Sequence, residues 1–206
     1  MDNRNFSELL TQIINTTLMG GPGAGYTKHG DSDFHLMTLF SIVLQTKAKN
    51  ILELGVRHGD TSLPLAMGAH LTGGVVDAVD LFQTEFDCPD ILKANYNFIQ
   101  SEAIEFLSKN EKRYDLVYLD DWHSYKHVKT ELELIDKFTD KSSLILLHDL
   151  MGNFQAPNYY HPAHQDENSE WGQGGPYAAV KELDLNTWEW MTIPVNNGLT
   201  LLRNKI

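Results

Sequence analysis

The chain has 206 residues, of which 42% are hydrophobic and 21% charged, and its formal net charge is −12. This composition is typical of a globular protein and excludes collagen-like, coiled-coil and largely disordered chains. The acidic balance disfavours nucleic acid and anionic membranes as partners, and the single cysteine, Cys88, excludes an internal disulfide.

The first 48 residues predict a helical N-terminal cap. Residues 1–5 are polar and lack the apolar core of a signal peptide, so we expect a cytoplasmic protein. Apolar residues at helical spacing predict a helix over residues 6–18, and a second follows over 34–45. This cap either covers a cofactor or serves a homodimer.

The rest of the chain alternates between strands and helices, which predicts an α/β fold with a parallel sheet covered on both faces. Ligands of such sheets bind beyond the carboxyl ends of the strands. The predicted strands are 50–56, 75–81, 97–100, 114–119, 144–147, 188–193 and 199–202, and the predicted helices are 61–70, one ending at 107, 123–138 and 176–183.

One long segment, at about residues 151–175, interrupts this alternation. It is polar and rich in Tyr, His and Trp, with no clear periodicity. A loop of this length in a compact domain is typically functional, so we predict a lid insertion over a bound substrate.

A glycine-bearing turn follows the first predicted strand. Gly55 and Gly59 let backbone N–H groups approach a ligand, and a helix beginning near Thr61 offers its positive end to an anion. The second predicted strand ends in Asp80, where a carboxylate can accept the hydroxyls of a ribose. A glycine turn alone is weak evidence and a strand-end aspartate is as often a helix cap, but the position of Asp80 after the glycine turn favours the functional interpretation.

Acidic residues also follow the fourth and fifth predicted strands, at Asp120 and Asp149. Two carboxylates at one sheet edge repel each other unless a proton or a cation lies between them, and Mg²⁺ prefers such oxygen ligands. His123 stands at a predicted helix start, where the imidazolium is disfavoured, so we expect a neutral, proton-accepting imidazole. Two helix-capping aspartates would give the same pattern.

Together these residues resemble class I S-adenosylmethionine-dependent O-methyltransferases of the catechol and bacterial sugar or natural-product types, including the cephalosporin hydroxylase-like group. The glycine turn carries the first part of the resemblance, and Asp120, His123 and Tyr125 match the Asp-x-x-His-x-Tyr motif of the sugar enzymes. The resemblance covers about residues 50–203. It implies a Rossmann-like sheet, mostly parallel with an antiparallel C-terminal strand, in a domain spanning 49–206.

The resemblance also implies a role for each site residue. Asp120 and Asp149 would bind Mg²⁺ or Mn²⁺, with Asp120 also near the cofactor and His123 as the general base. Leu150 stands where the related enzymes carry a further ligand, so His148, or His161 or His164 of the lid, would complete the metal site. The predicted S-adenosylmethionine contacts are Glu53, Gly55, Gly59 and Thr61 around the methionine, Asp80 at the ribose, and Ser101 and Glu102 near the adenine.

We therefore expect an enzyme that transfers a methyl group from S-adenosylmethionine to a hydroxyl of a small molecule or sugar. A non-haem iron hydroxylase using His123, His148 and Asp149 is one alternative. A nicotinamide dehydrogenase is disfavoured because the turn lacks G-x-G-x-x-G. A catalytically silent protein that binds S-adenosylmethionine is a further alternative, because fold alone does not establish chemistry.

Overall fold

A computed structural model describes residues 2–19, 32–150, 168 and 174–205 of the chain. Most of the predicted lid, together with His161 and His164, lies outside the described residues. Within the described part, no helix is both long enough and apolar enough to cross a membrane.

The architecture is a seven-stranded sheet with the order β3-β2-β1-β4-β5-β7-β6. The first five strands are parallel, whereas β7 pairs antiparallel with both β5 and β6. This confirms the predicted fold class. The strands are β1 (Asn50–Leu54), β2 (Val75–Asp80), β3 (Tyr96–Gln100), β4 (Leu116–Leu119), β5 (Leu144–Leu147), β6 (Trp188–Ile193) and β7 (Leu199–Asn204).

Helices precede, connect and cover these strands. The α-helices are α1 (Phe6–Met19), α2 (Leu36–Thr46), α3 (Ser62–Thr72), α4 (Ala103–Lys109), α5 (Tyr125–Ile135) and α6 (Gly175–Lys181). Short 3₁₀ turns at Asp33–His35 and Asp90–Asn95 were not predicted. Helix α5 begins two residues later than predicted, because the Ser124 hydroxyl caps it by accepting a hydrogen bond from the backbone N–H of His127 at 3.2 Å.

Two apolar clusters lie on the two faces of the sheet. Leu9 of α1 and Leu39 of α2 share one cluster with Ala66 of α3 and Ile51 of β1. The second cluster joins the opposite face of the sheet to α4, α5 and α6. Because both faces are covered, the polar edge at the carboxyl ends of the strands is the accessible part of the sheet, and the predicted site residues lie there.

Candidate active site

The turn after β1 contains the two glycines of the predicted ligand-binding turn, and both are required by its packing. Gly55 has φ +88°, and a Cβ atom there would lie 2.2 Å from the backbone oxygen of Asp120. Gly59 has φ +81°, and its Cβ would lie 2.3 Å from the ring of Phe86. At both positions the space that a side chain would take is occupied by other parts of the chain, and the predicted approach of a ligand to the glycine backbone stays a prediction. The turn is therefore packed directly against the end of β4.

Glu53 ties this turn to α3. Its carboxylate is fully buried and accepts hydrogen bonds from the hydroxyls of Thr61 at 2.7 Å and Ser62 at 2.6 Å. Burial raises the pKa of Glu53 to about 7, although the two hydroxyl contacts act in the opposite direction. Glu53 and Thr61 therefore support the turn from within the core, and their predicted contact with a methionine group stays a prediction.

A cavity of about 370 Å³ opens beside this turn. Asp80 fixes its wall, because its carboxylate accepts backbone N–H groups from Val56 at 2.8 Å, Arg57 at 3.0 Å and Phe82 at 2.8 Å. The cavity also has apolar lining, to which the ring of Trp122 contributes. Five predicted cofactor contacts line this one space: Gly55, Asp80, Ser101, Glu102 and Asp120. Gly59 instead borders a separate cavity.

At the carboxyl ends of β4 and β5, two carboxylates and one imidazole converge. Nδ1 of His148 lies 3.4 Å from Oδ1 of Asp120 and 3.4 Å from Oδ1 of Asp149. All three residues are candidate ligands of one cation, with ligand atoms within 4.8 Å of one another. Asp149 adopts a left-handed backbone conformation, with φ 63°, which is uncommon outside glycine and turns its carboxylate into this group.

The hydrogen bonding of His148 identifies the atom that faces the carboxylates. Its Nε2 donates to the backbone carbonyl of Asn196 at 2.9 Å, which leaves Nδ1 as the lone-pair nitrogen of the neutral ring. Nδ1 of His148 and Oδ1 of Asp149 are buried and make no hydrogen bond. Ligand atoms held at about 2.1 Å by one cation lie roughly 3.0 to 3.5 Å apart, so the donor set fits a divalent metal ion.

Electrostatics at this group is dominated by burial and by charge pairing. Burial alone would raise the pKa values of Asp120 and Asp149, but the neighbouring histidines hold both below their ordinary values. Burial would likewise lower the pKa of His148, yet the two carboxylates raise it well above its ordinary range. The site is therefore built to hold positive charge between two carboxylates.

His123 lies against the same carboxylates. Its Nε2 is 2.9 Å from Oδ2 of Asp149 and 3.4 Å from Oδ1 of Asp120. Burial opposes its protonation, but these contacts raise the pKa of His123 to about 10. The expectation of a neutral imidazole is therefore wrong while both carboxylates are uncompensated, because their attraction outweighs the effect of burial.

Three supporting contacts were missed by sequence reasoning. The Tyr118 hydroxyl donates to Oδ2 of Asp120 at 2.9 Å, and the His35 ring lies 2.9 Å from the carbonyl of Val195 and packs edge-on against His148. Tyr118 stands two residues before Asp120, so strand alternation could have placed both on one side of β4. The contacts of His35 and of Asn196 join distant parts of the chain, and no local signal predicts them.

Residues 52–150 match a family model described as a methyltransferase domain. No curated protein sequence matches the chain.

Solved structures resemble the chain over nearly its whole length at low identity. A Podospora anserina methyltransferase, PaMTH1, bound to S-adenosylhomocysteine, has a TM-score of 0.65 and 17% identity, covering 96% of this chain and 88% of its own. A putative caffeoyl-CoA O-methyltransferase from Staphylococcus aureus has a TM-score of 0.65 and 14% identity, covering 98% and 93%. The O-methyltransferase TomG from Streptomyces achromogenes, in complex with S-adenosylmethionine, has a TM-score of 0.62 and 13% identity, covering 100% and 92%.

The strand order defines a Rossmann-like fold, and the cavity lies at the carboxyl ends of β1 and β2, where ligands of such folds bind. The matched methyltransferase domain and the fold shared with solved methyltransferases bear out the resemblance to class I S-adenosylmethionine-dependent methyltransferases that the sequence showed.

Proposed function

We propose that the chain is an O-methyltransferase that transfers a methyl group from S-adenosylmethionine to a hydroxyl of a small molecule or sugar, at a site that holds a divalent cation. One observation carries this proposal. The group formed by Asp120, His148 and Asp149 adjoins the 370 Å³ cavity, and Asp120 belongs to both. A methyl donor in the cavity and a hydroxyl at the group would therefore lie next to each other.

The nucleoside part of the cofactor fits the cavity beside Asp80. Oδ2 of Asp80 already accepts two backbone N–H groups, whereas Oδ1 accepts one and keeps a lone pair for a ribose hydroxyl. Leu81, Phe82 and Trp122 line the cavity and are exposed apolar side chains, which suits a flat adenine ring. These roles of Asp80, Ser101 and Glu102 agree with the prediction from the sequence.

Asp120, Asp149 and His148 would hold the cation. A bound divalent cation lowers the pKa of a coordinated hydroxyl and so makes it a better nucleophile. The imidazole ligand favours Mn²⁺ over Mg²⁺, because nitrogen ligands suit transition metals better. Tyr118 and the carbonyl of Asn196 orient Asp120 and His148 from behind, as supporting partners do in metal sites.

His123 is the residue that would accept the hydroxyl proton. It stands within hydrogen-bond distance of Asp149 and 3.4 Å from Asp120, so an acceptor at the acidic group also faces its ring. Positive charge placed between the carboxylates weakens their hold on the imidazolium, which frees the ring to act as a base. General base catalysis of this kind contributes about 10² to 10⁴ in rate.

The decisive experiment measures methyl transfer from S-adenosylmethionine to a panel of catechols, sugars and nucleotide sugars, with Mn²⁺ or with EDTA. We expect turnover that Mn²⁺ supports and EDTA abolishes. Turnover that EDTA leaves unchanged would overturn the metal part of the proposal. Binding of S-adenosylhomocysteine without turnover on any hydroxyl would favour the silent-protein alternative, and 2-oxoglutarate-dependent oxidation would favour the iron hydroxylase.

His123→Ala should lower kcat by about 10² to 10⁴ and leave the Kd of S-adenosylhomocysteine within about twofold. His58→Ala is the matched control, because His58 is exposed and pairs with Glu85 away from the acidic group. Unchanged turnover of His123→Ala would remove this residue from the mechanism.

Asp80→Ala should instead weaken S-adenosylhomocysteine binding by about 10-fold or more, since two to three hydrogen bonds at the ribose and the turn are lost together. Calorimetry with S-adenosylhomocysteine measures the change. Unaltered affinity would contradict the ribose assignment.

A further inference from the structure

A second cluster of titratable side chains lies beside the first and shares no residue with it. It consists of Asp121 in the connection after β4, and of His127 and Glu131 on α5. His127 and Glu131 are four residues apart, so they occupy one face of the helix. The Ser124 cap fixes the first turn of α5 and therefore the position of His127.

The ligand atoms of this cluster are close enough to share one ion. Nε2 of His127 lies 2.8 Å from Oδ2 of Asp121 and 3.5 Å from Oε1 of Glu131, and all three atoms are within 4.8 Å of one another. Atoms bound to one cation at about 2.1 Å lie roughly 3.0 to 3.5 Å apart. The pair formed by His127 and Glu131 already has this spacing, and the pair formed by His127 and Asp121 lies slightly closer.

The burial of the Glu131 carboxylate indicates that this cluster binds a ligand. Its side chain is 0% exposed, and neither carboxylate oxygen has a hydrogen-bond partner. An ionised carboxylate buried without a partner costs several kcal/mol, so proteins pair such groups or place a metal ion beside them. The imidazole of His127 is shared between this carboxylate and that of Asp121. Burial and Asp121 together raise the pKa of Glu131 to about 8.

We propose that Asp121, His127 and Glu131 form a second divalent cation site, distinct from the group at Asp120, His148 and Asp149. The donor set of one imidazole nitrogen and two carboxylates suits Mn²⁺, Co²⁺ or Zn²⁺ better than Mg²⁺. Three protein ligands leave at least one coordination position for water or for a ligand.

This second site is reached through the 370 Å³ cavity. Asp121 and His127 line that cavity and are partly exposed, whereas Glu131 closes the cluster from the interior. The neighbouring residues Asp120 and Asp121 thus serve two different clusters. A cation bound by Asp121, His127 and Glu131 would face the cavity proposed for the cofactor. The inference of this second site does not depend on the proposed methyl transfer.

The test counts Mn²⁺ bound per chain at pH 8, by electron paramagnetic resonance of the free ion. We expect two equivalents for the unaltered chain, one for Glu131→Gln, one for Asp149→Asn and none for the double variant. Glu133→Gln, on the exposed side of α5, is the matched control and should keep both equivalents. Glu131→Gln should weaken the affected site by at least about 100-fold, because it removes a charged ligand.

The single variants separate the two sites. The second site is overturned if the unaltered chain binds one Mn²⁺ and this ion is lost in Asp149→Asn but kept in Glu131→Gln. If the unaltered chain binds one Mn²⁺ and this ion is lost only in Glu131→Gln, the result supports the second site and contradicts the metal part of the proposed function.

Thermal melting provides a second readout if Glu131→Gln folds poorly. Mn²⁺ should raise the Tm of Asp149→Asn, where only the second site is intact, and should not raise the Tm of Asp149→Asn combined with His127→Asn. An equal rise in both proteins overturns the inference.

Discussion

The buried carboxylate of Glu53 makes the stability of this protein depend on pH in a direction that is unusual for an acid. The pKa of this group is raised from 4.5 to about 7 in the folded chain, by burial above all. Between these two pH values the folded state holds a proton that the unfolded state has released. Stability from this group is therefore complete below about pH 4.5 and is lost as pH rises through 7.

The magnitude follows from the size of the shift. A difference of about 2.5 pKa units at about 1.36 kcal/mol per unit gives roughly 3 kcal/mol when fully expressed. Over the accessible window from pH 5 to pH 8, the loss is about 2.5 kcal/mol. Because Glu53 is fully buried, solvent screening does not reduce this figure appreciably.

Glu53→Gln tests this reasoning, since glutamine keeps an oxygen for the Thr61 hydroxyl and cannot ionise. The variant should gain stability relative to the unaltered chain as pH rises, by about 2.5 kcal/mol between pH 5 and pH 8. Urea unfolding followed by circular dichroism at several pH values gives this difference directly. Glu111→Gln, at an exposed position, should show no such trend. A Glu53→Gln difference that is flat, or that falls with pH, would refute the assignment.

Two further predictions concern the packing around the site. Gly55→Ala should destabilise the fold by at least about 2 kcal/mol, because the new methyl would lie 2.2 Å from the Asp120 backbone oxygen at a φ that favours glycine. An unchanged Tm would contradict that contact. Tyr118→Phe removes the hydrogen bond to Asp120 and should weaken Mn²⁺ binding at the first site by about 10-fold, with a stability change of only about 1 kcal/mol. Calorimetry with Mn²⁺ measures this change, and equal affinity would show that Tyr118 does not position Asp120.

The sequence by itself determined the alternation of strands and helices, and with it the sheet. Apolar strand runs such as Leu116–Leu119 need cover on both faces, and the helical stripes between them supply it. The same alternation placed Asp80, Asp120 and Asp149 at the carboxyl ends of strands, so the edge that carries the site was predictable. Helix boundaries were less predictable, because capping at Ser124 depends on one side chain.

Only the tertiary structure decided the chemistry at that edge. The orientation of the His148 ring is set by the carbonyl of Asn196, 48 residues further along the chain, which accepts a hydrogen bond from Nε2 and leaves Nδ1 facing the carboxylates. The protonation of His123 is set by two carboxylates from different strand ends, against the effect of burial. Neither of these contacts can be predicted from the spacing of residues in the sequence. Pairwise distances fix electrostatic and hydrogen-bond energies, and the packing of distant segments creates those distances.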